Sequence, residues 1–261
     1  MKTHIDQTGN TVPSIPKTKL RIVSLVPSQT ELLYDLGLEE VVVGITKFCV
    51  HPTEWRKEKI IVGGTKTVHI DKIKSLHPTL VIANKEENVK EQILDLKHIC
   101  PVWTSNVKTV EDALEMIQSI SVITDSIKKG KDIINSIKSS FNKIPQPAEK
   151  PKVAYVIWNN PIMIAGGDTF INYLLKRAGF DNAFAHLERY PTVPIQDLSQ
   201  AKLDYLLLSS EPFPFKEKHL QEFQQALPNT LVKLVDGELF SWYGSRMIKA
   251  AQYFQNIHLN Y

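Results

Sequence analysis

Residues 21–37 read RIVSLVPSQTELLYDLG, and the fold follows from them. An apolar run stops at Pro27. Leu32, Leu33 and Leu36 then recur at helical spacing until Gly37 ends the pattern. The stretch therefore predicts strand, turn and helix. Downstream, Val41 to Ile45 reads as a strand and a loop runs from Thr46 to His69; IDKIKSLHP and the run Leu80 to Ala83 then repeat helix and buried strand. The charged segment Lys85 to Lys97 is helical in pattern and Val102 to Thr104 is a further short strand. Strands alternating with helices call for an α/β lobe with a parallel sheet.

From Thr109 to about Asn142 the pattern changes. Val110, Leu114, Ile117, Ile120, Ile123, Ile127, Ile134, Ile137 and Phe141 recur every three or four residues without proline. This predicts one long backbone helix of about 50 Å at about 1.5 Å per residue, long enough to run from one lobe to another. Gly130 is its weakest point, and Pro145, Pro147 and Pro151 stop it before KVAYVIW opens a second series. That series echoes the first: TFINYLLKRAG stands beside TELLYDLG, and IQDLSQAKLDYLLLS beside IDKIKSLHPTLVIAN. The expected architecture is α/β, with two Rossmann-like lobes (1–107 and 144–261) joined by a backbone helix (108–143). Its ligand cleft lies where the carboxyl ends of both sheets face each other.

Composition sets limits on function. The 261 residues reach the upper limit for one hydrophobic core, in keeping with two lobes. A net charge of +3 from 31 basic and 28 acidic side chains forms no basic stripe, so nucleic acid is not an expected partner. Cys49 and Cys100 lack CxxC spacing and give neither a disulfide framework nor a four-thiolate zinc site. The longest apolar runs, such as Val153 to Trp158, are of strand length, far below the roughly 20 residues of a membrane span. Met1 to Pro16 shows no apolar h-region, so the expectation is either a cytoplasmic chain or one whose leader has been removed.

Taken in order, RIVSLVPSQTELLYDLGLEEVVVGIT (21–46), IDKIKSLHPTLVIAN (70–84), the long helix, MIAGGDTFINYLLKRAGFDNAF (163–184) and YPTVPIQDLSQAKLDYLLL (190–208) resemble the substrate-binding proteins of cobalamin and iron-siderophore ABC transporters. The cobalamin-type branch is the nearer. The resemblance covers the chain from about Asp6 to the last helix and implies a receptor with a helical backbone, a monomer with no cofactor beyond its ligand. That ligand is a corrinoid, haem-like or iron-chelate small molecule. It further implies that loops after successive strands supply the cleft. Phe48 and Tyr190 fall on positions that contact the corrin ring in such receptors, whereas two tryptophan positions of that branch hold Thr65-Lys66 and Asn84 here. An ABC permease is the implied partner, docked in that family through one acidic residue on each lobe's rim; the first position holds Asp71 here and the second holds Gln196 beside Asp197.

Residue chemistry agrees with a flat ligand. Phe48, Trp158, Tyr190, Trp242 and Tyr243 offer aromatic faces, Lys66 with Lys85 suits an anionic group, and Asn84 at the end of its strand is a further ligand-binding candidate. Lys85, Glu86 and Glu87 equally fit a solvated helix start. Arg246 reads as a planar contact to a carboxylate or amide edge, or else as a surface arginine paired with Glu238 or Asp236. On the first reading Arg246→Ala or Trp242→Ala weakens binding and leaves the melting temperature near wild type. Gly63-Gly64 and Gly166-Gly167 complete no phosphate-binding motif. No G-x-S-x-G or H-E-x-x-H signature appears, so an enzyme is not expected. The alternative is a cytosolic relative acting as a metal chaperone or enzyme through Cys49 and His51, since thiolate and imidazole together suit zinc or copper.

Overall fold

A computed structural model of the chain describes residues 3–257. In it the chain divides into two compact units. One takes in 3–107, 111–138 and 243–246; the other takes in 108–110, 139–242 and 247–257.

The first unit begins with a hairpin of β1 (Thr3–Ile5) and β2 (Thr11–Pro13). Then follow β3 (Ile22–Ser24), α1 (Pro27–Asp35), β4 (Val42–Ile45), α2 (Trp55–Glu58), β5 (Ile60–Ile61), α3 (Ile70–Ser75), β6 (Leu80–Asn84), α4 (Lys90–Lys97) and β7 (Val102–Ser105). The sheet order is β5-β4-β3-β6-β7, with every pair parallel. Strands β3 and β6 are buried throughout because helices pack on the sheet, and Val23, Leu25, Ile73, Val81, Ala83 and Leu96 make its core.

The expectation of one long helix over 109–142 is corrected. Two helices stand there, α5 (Val110–Ile123) and α6 (Ile127–Phe141). Asp125 takes a left-handed conformation (φ 54°), and the Ser126 N–H donates to the Ser121 carbonyl at 2.7 Å, a Schellman closure. Thr124 adds its hydroxyl to the Ile120 carbonyl at 2.7 Å and meets Ser126 Oγ at 2.8 Å. The Thr124 and Ser126 hydroxyls thus offer the backbone partners that compete with the helix ladder. Past the break the chain returns close to α5: a Cβ on Gly130 would lie 2.4 Å from Ser121 Cβ, so only glycine permits this approach.

The second unit comprises β8 (Lys152–Trp158), β9 (Met163–Ile164), α7 (Phe170–Arg177), β10 (Asp181–Asn182), α8 (Ile195–Gln200), β11 (Tyr205–Ser209), α9 (Glu217–Ala226), β12 (Leu231–Val235), α10 (Gly237–Ser241) and α11 (Met247–Asn256). Its sheet runs β10-β8-β11-β12 in parallel, with β9 antiparallel on β8. That order matches β4-β3-β6-β7, as the internal repeat implies. The equivalent helices even close alike. α1 ends at Gly37 (φ 71°) with Leu38 N–H donating to the Leu33 carbonyl, and α7 ends at Gly179 (φ 87°) with Phe180 N–H donating to the Leu175 carbonyl. Among the described residues no helix is long and apolar enough to cross a membrane.

Candidate functional site

Parallel sheets covered on both faces leave ligands the loops at the carboxyl ends of their strands. In the first unit those loops follow β3, β4, β5, β6 and β7. A buried polar floor holds them in shape. Asn84 closes β6 with its amide on Ser105 Oγ at 2.9 Å, while its Oδ1 accepts from the Glu86 and Glu87 N–H groups at 2.8 and 3.0 Å. Asn88 Oδ1 in turn accepts from the Asn84 N–H at 2.8 Å, and the Gln29 amide donates to Ser105 Oγ. Asn84 is therefore occupied as a loop-shaping residue.

Above this floor the edge is aromatic and cationic. Phe48, 50% exposed, has Lys47 Nζ at 5.1 Å from its ring centroid. Lys66 Nζ donates to the Glu86 carbonyl at 2.6 Å, and Lys85 stands exposed directly after β6. Three ammonium groups and an exposed ring suit a ligand with a flat face and acidic substituents.

Cys49 lies beneath the same loop, fully buried. Its Sγ accepts from Thr30 Oγ1 at 3.0 Å and sits 3.2 Å from Thr46 Oγ1. Burial pushes its thiol above the usual range, against the opposing pull of the threonine hydrogen bonds, so the reactive thiolate is disfavoured. His51 is half-buried, and no group of three potential metal ligands occurs among the described residues.

In the second unit the edge loops follow β8, β11 and β12. Trp158 ends β8 and is 40% exposed; Tyr190 is half-buried in the loop whose Thr192 bridges Met163 of β9. Phe213, after β11, stands 5.6 Å from Trp158 between ring centroids. Sequence reasoning passed over Phe213, although the run EPFPF (211–215) flags a stiff aromatic loop.

Trp242, Tyr243 and Arg246, expected at the ligand, are instead held in buried bonds. Trp242 Nε1 donates to Glu211 Oε1 at 2.8 Å, and the same oxygen accepts from Ser241 Oγ at 2.7 Å. Burial, with the charges of Glu238 and Asp236 adding to it, raises the Glu211 pKa; the two donated hydrogen bonds oppose the shift. The Tyr243 hydroxyl donates to Glu87 Oε1 at 2.8 Å, and burial followed by that carboxylate drives the phenol well above the usual tyrosine range. Arg246 pairs with Glu31 of α1, in a two-point contact at 2.7 and 2.8 Å. Residues 243–246 belong to the first unit, and Gly244 (φ 101°) lets the chain pass 3.3 Å from the Ser28 carbonyl, as measured to an added Cβ.

Two concavities lie elsewhere. One of about 610 Å³ is lined by Asn10, Pro13, Lys97, His98 and Cys100 beside the start of β7, where burial pushes the Cys100 thiol up to about 11. Another of about 280 Å³ is lined by Lys202, Asp204 and Thr230 beside the starts of β11 and β12. Both are at the amino ends of strands, the edge that parallel sheets do not use for ligands, so the carboxyl edges remain the candidate site. Asp71 and Asp197 are exposed in the first turns of α3 and α8.

Comparison with known proteins gives a consistent picture. The family profile described as "Periplasmic binding protein" matches residues 22–230. An uncharacterized ABC transporter substrate-binding lipoprotein of Bacillus subtilis (strain 168) is 34% identical over 195 residues, which are 69% of this chain and 60% of that protein's length. A vitamin B12-binding protein of Vibrio parahaemolyticus is 26% identical over 198 residues, 72% of this chain and 70% of the other. Among solved structures, a periplasmic heme-binding protein of Vibrio cholerae superposes with a TM-score of 0.79 at 20% identity, covering 92% of this chain and 98% of that one.

Proposed function

Because the chain belongs to the periplasmic binding protein family, we propose that it is the substrate-binding protein of an ABC transporter, working outside the cytoplasmic membrane as a receptor and not as an enzyme. Its ligand is a corrinoid, haem-like or iron-chelate small molecule. The observation that carries this reading is the pair of carboxyl edges. Phe48 is exposed with Lys47 beside it, Lys66 and Lys85 are exposed in the loops after β5 and β6 of the same unit, and in the other unit Trp158 is exposed at the end of β8. Large aromatic side chains left partly in water at the ligand edge of a parallel sheet cost apolar exposure that a ligand would relieve. The vitamin B12-binding relatives bring corrinoids into the set; the three lysines favour a ligand with acidic groups.

Titration of the purified protein with cyanocobalamin, cobinamide, haemin and a ferric siderophore, read by tryptophan fluorescence, tests this. Saturable quenching by one member at equimolar stoichiometry supports it, and silence across the set removes it. Delivery to a permease uses Asp71 and Asp197. Reversing either charge should abolish uptake in a reconstituted transporter while ligand affinity stays at the wild-type value.

A further inference from the structure

We propose that Phe213 is a ligand-contact residue that, with Trp158, forms an aromatic wall selecting a flat conjugated macrocycle over an open-chain chelate; this deepens the receptor reading above and rests on it. The two ring centroids lie 5.6 Å apart with planes at 68°, an edge-to-face pair whose Trp158 side is 40% exposed. Phe213 is firmly backed. Phe215 lies 4.7 Å and His219 5.2 Å away, both edge-on, and the Phe213 N–H reaches the Ile157 carbonyl at 3.4 Å. His219 is itself fixed, its Nδ1 accepting from the Lys216 N–H at 3.0 Å.

Pro212 and Pro214 restrict the backbone on either side of Phe213. The wall is thus rigid before any ligand arrives, so binding costs little further side-chain ordering. A conjugated ring laid against it gains stacking or edge contacts with both aromatic groups. An open-chain ferric hydroxamate would instead press hydrated polar groups against carbon, with a desolvation cost that nothing in the pair returns. Backbone pairing also sets Met163 opposite Trp158 and Thr192 opposite Met163, which brings the Tyr190 loop to the same edge.

The test compares wild type with Phe213→Ala and Phe213→Leu, titrated with haemin, cyanocobalamin and ferrioxamine B, with thermal melts run in parallel. Wild type should bind at least one of the two macrocycles. Each variant, still melting cooperatively, should bind that macrocycle about tenfold more weakly, the loss of one aromatic contact of this kind. Phe213→Tyr should restore binding. Wild-type affinity in both folded variants overturns the proposal, as does loss of the cooperative melt in both, which would assign Phe213 to packing. If wild type binds ferrioxamine B alone, the wall falls and the receptor reading stands. If it binds none of the three, nor anything in the wider ligand set, both fall.

Discussion

Removing the Arg246 side chain should unfold more than it unbinds. The guanidinium meets Glu31 at two points, 2.7 and 2.8 Å apart, with side-chain exposures of 8% and 9%. Arg246→Ala therefore strips the two-point guanidinium contact from a carboxylate in a nearly dry site. Breaking a buried pair from one side costs about 3–5 kcal/mol, because the surviving charge keeps its desolvation penalty. At about 2–4 °C per kcal/mol for a chain of this order of size, the melt should fall by about 6–20 °C. Thermal melts followed by circular dichroism, together with urea unfolding, measure the shift. Glu31→Ala should cost a comparable amount. The double variant Glu31→Leu with Arg246→Met leaves no orphan charge and should cost far less than the two single losses together. A melt of Arg246→Ala within about 2 °C of wild type would refute the reasoning, since only a surface side chain is so cheaply lost. Strict additivity in the cycle would refute it equally.

Other outcomes follow from the same contacts. Because the folded-state pKa of Glu211 is raised, folded protein holds a proton that unfolded chain has released. The contribution of Glu211 to stability is therefore lost as pH rises from the usual carboxylate value through the folded one. Glu211→Gln, which keeps an acceptor for Ser241 and Trp242, should match wild type in acid and gain on it toward neutral pH, as read by melts across a pH series. Gly130→Ala, ordinarily favourable within a helix by about 1 kcal/mol, should destabilise by about 1–3 kcal/mol through collision with Ser121; urea unfolding gives the sign. Asp125→Gly should stabilise by some tenths of a kcal/mol up to about 1 kcal/mol, because glycine occupies φ 54° without the Cβ cost. Helix content by circular dichroism should stay unchanged in that variant.

Local signals made most of the fold legible. Pro27 stands at the first turn of α1, and Gly37 and Gly179 close α1 and α7 in the left-handed conformation that their positions announce. The repeat was legible because each half carries the same order of apolar strand, capped helix and buried strand. The break between α5 and α6 was hidden by Ile120, Ile123 and Ile127, which keep a helical spacing straight across it. Its signal was Thr124-Asp125-Ser126, where the Thr124 and Ser126 hydroxyls bond the backbone and Asp125 takes the left-handed conformation. Lys85, directly after buried β6, and Trp158, the last residue of β8, are exposed at the strand ends where the alternating pattern placed them.

Trp242, Tyr243 and Arg246 were not readable in this way. Their partners Glu211, Glu87 and Glu31 are 31, 156 and 215 residues away along the chain, and no periodicity connects such positions. A single polymer determines by itself what depends on neighbours within a turn or two: strand or helix, where each stops, and which face is apolar. Whether an aromatic or charged side chain meets solvent or a buried carboxylate depends on distant segments brought together by burial of the two sheets. Only the tertiary structure decided that the WYGSR turn closes on glutamates, and that Phe213 stands beside Trp158.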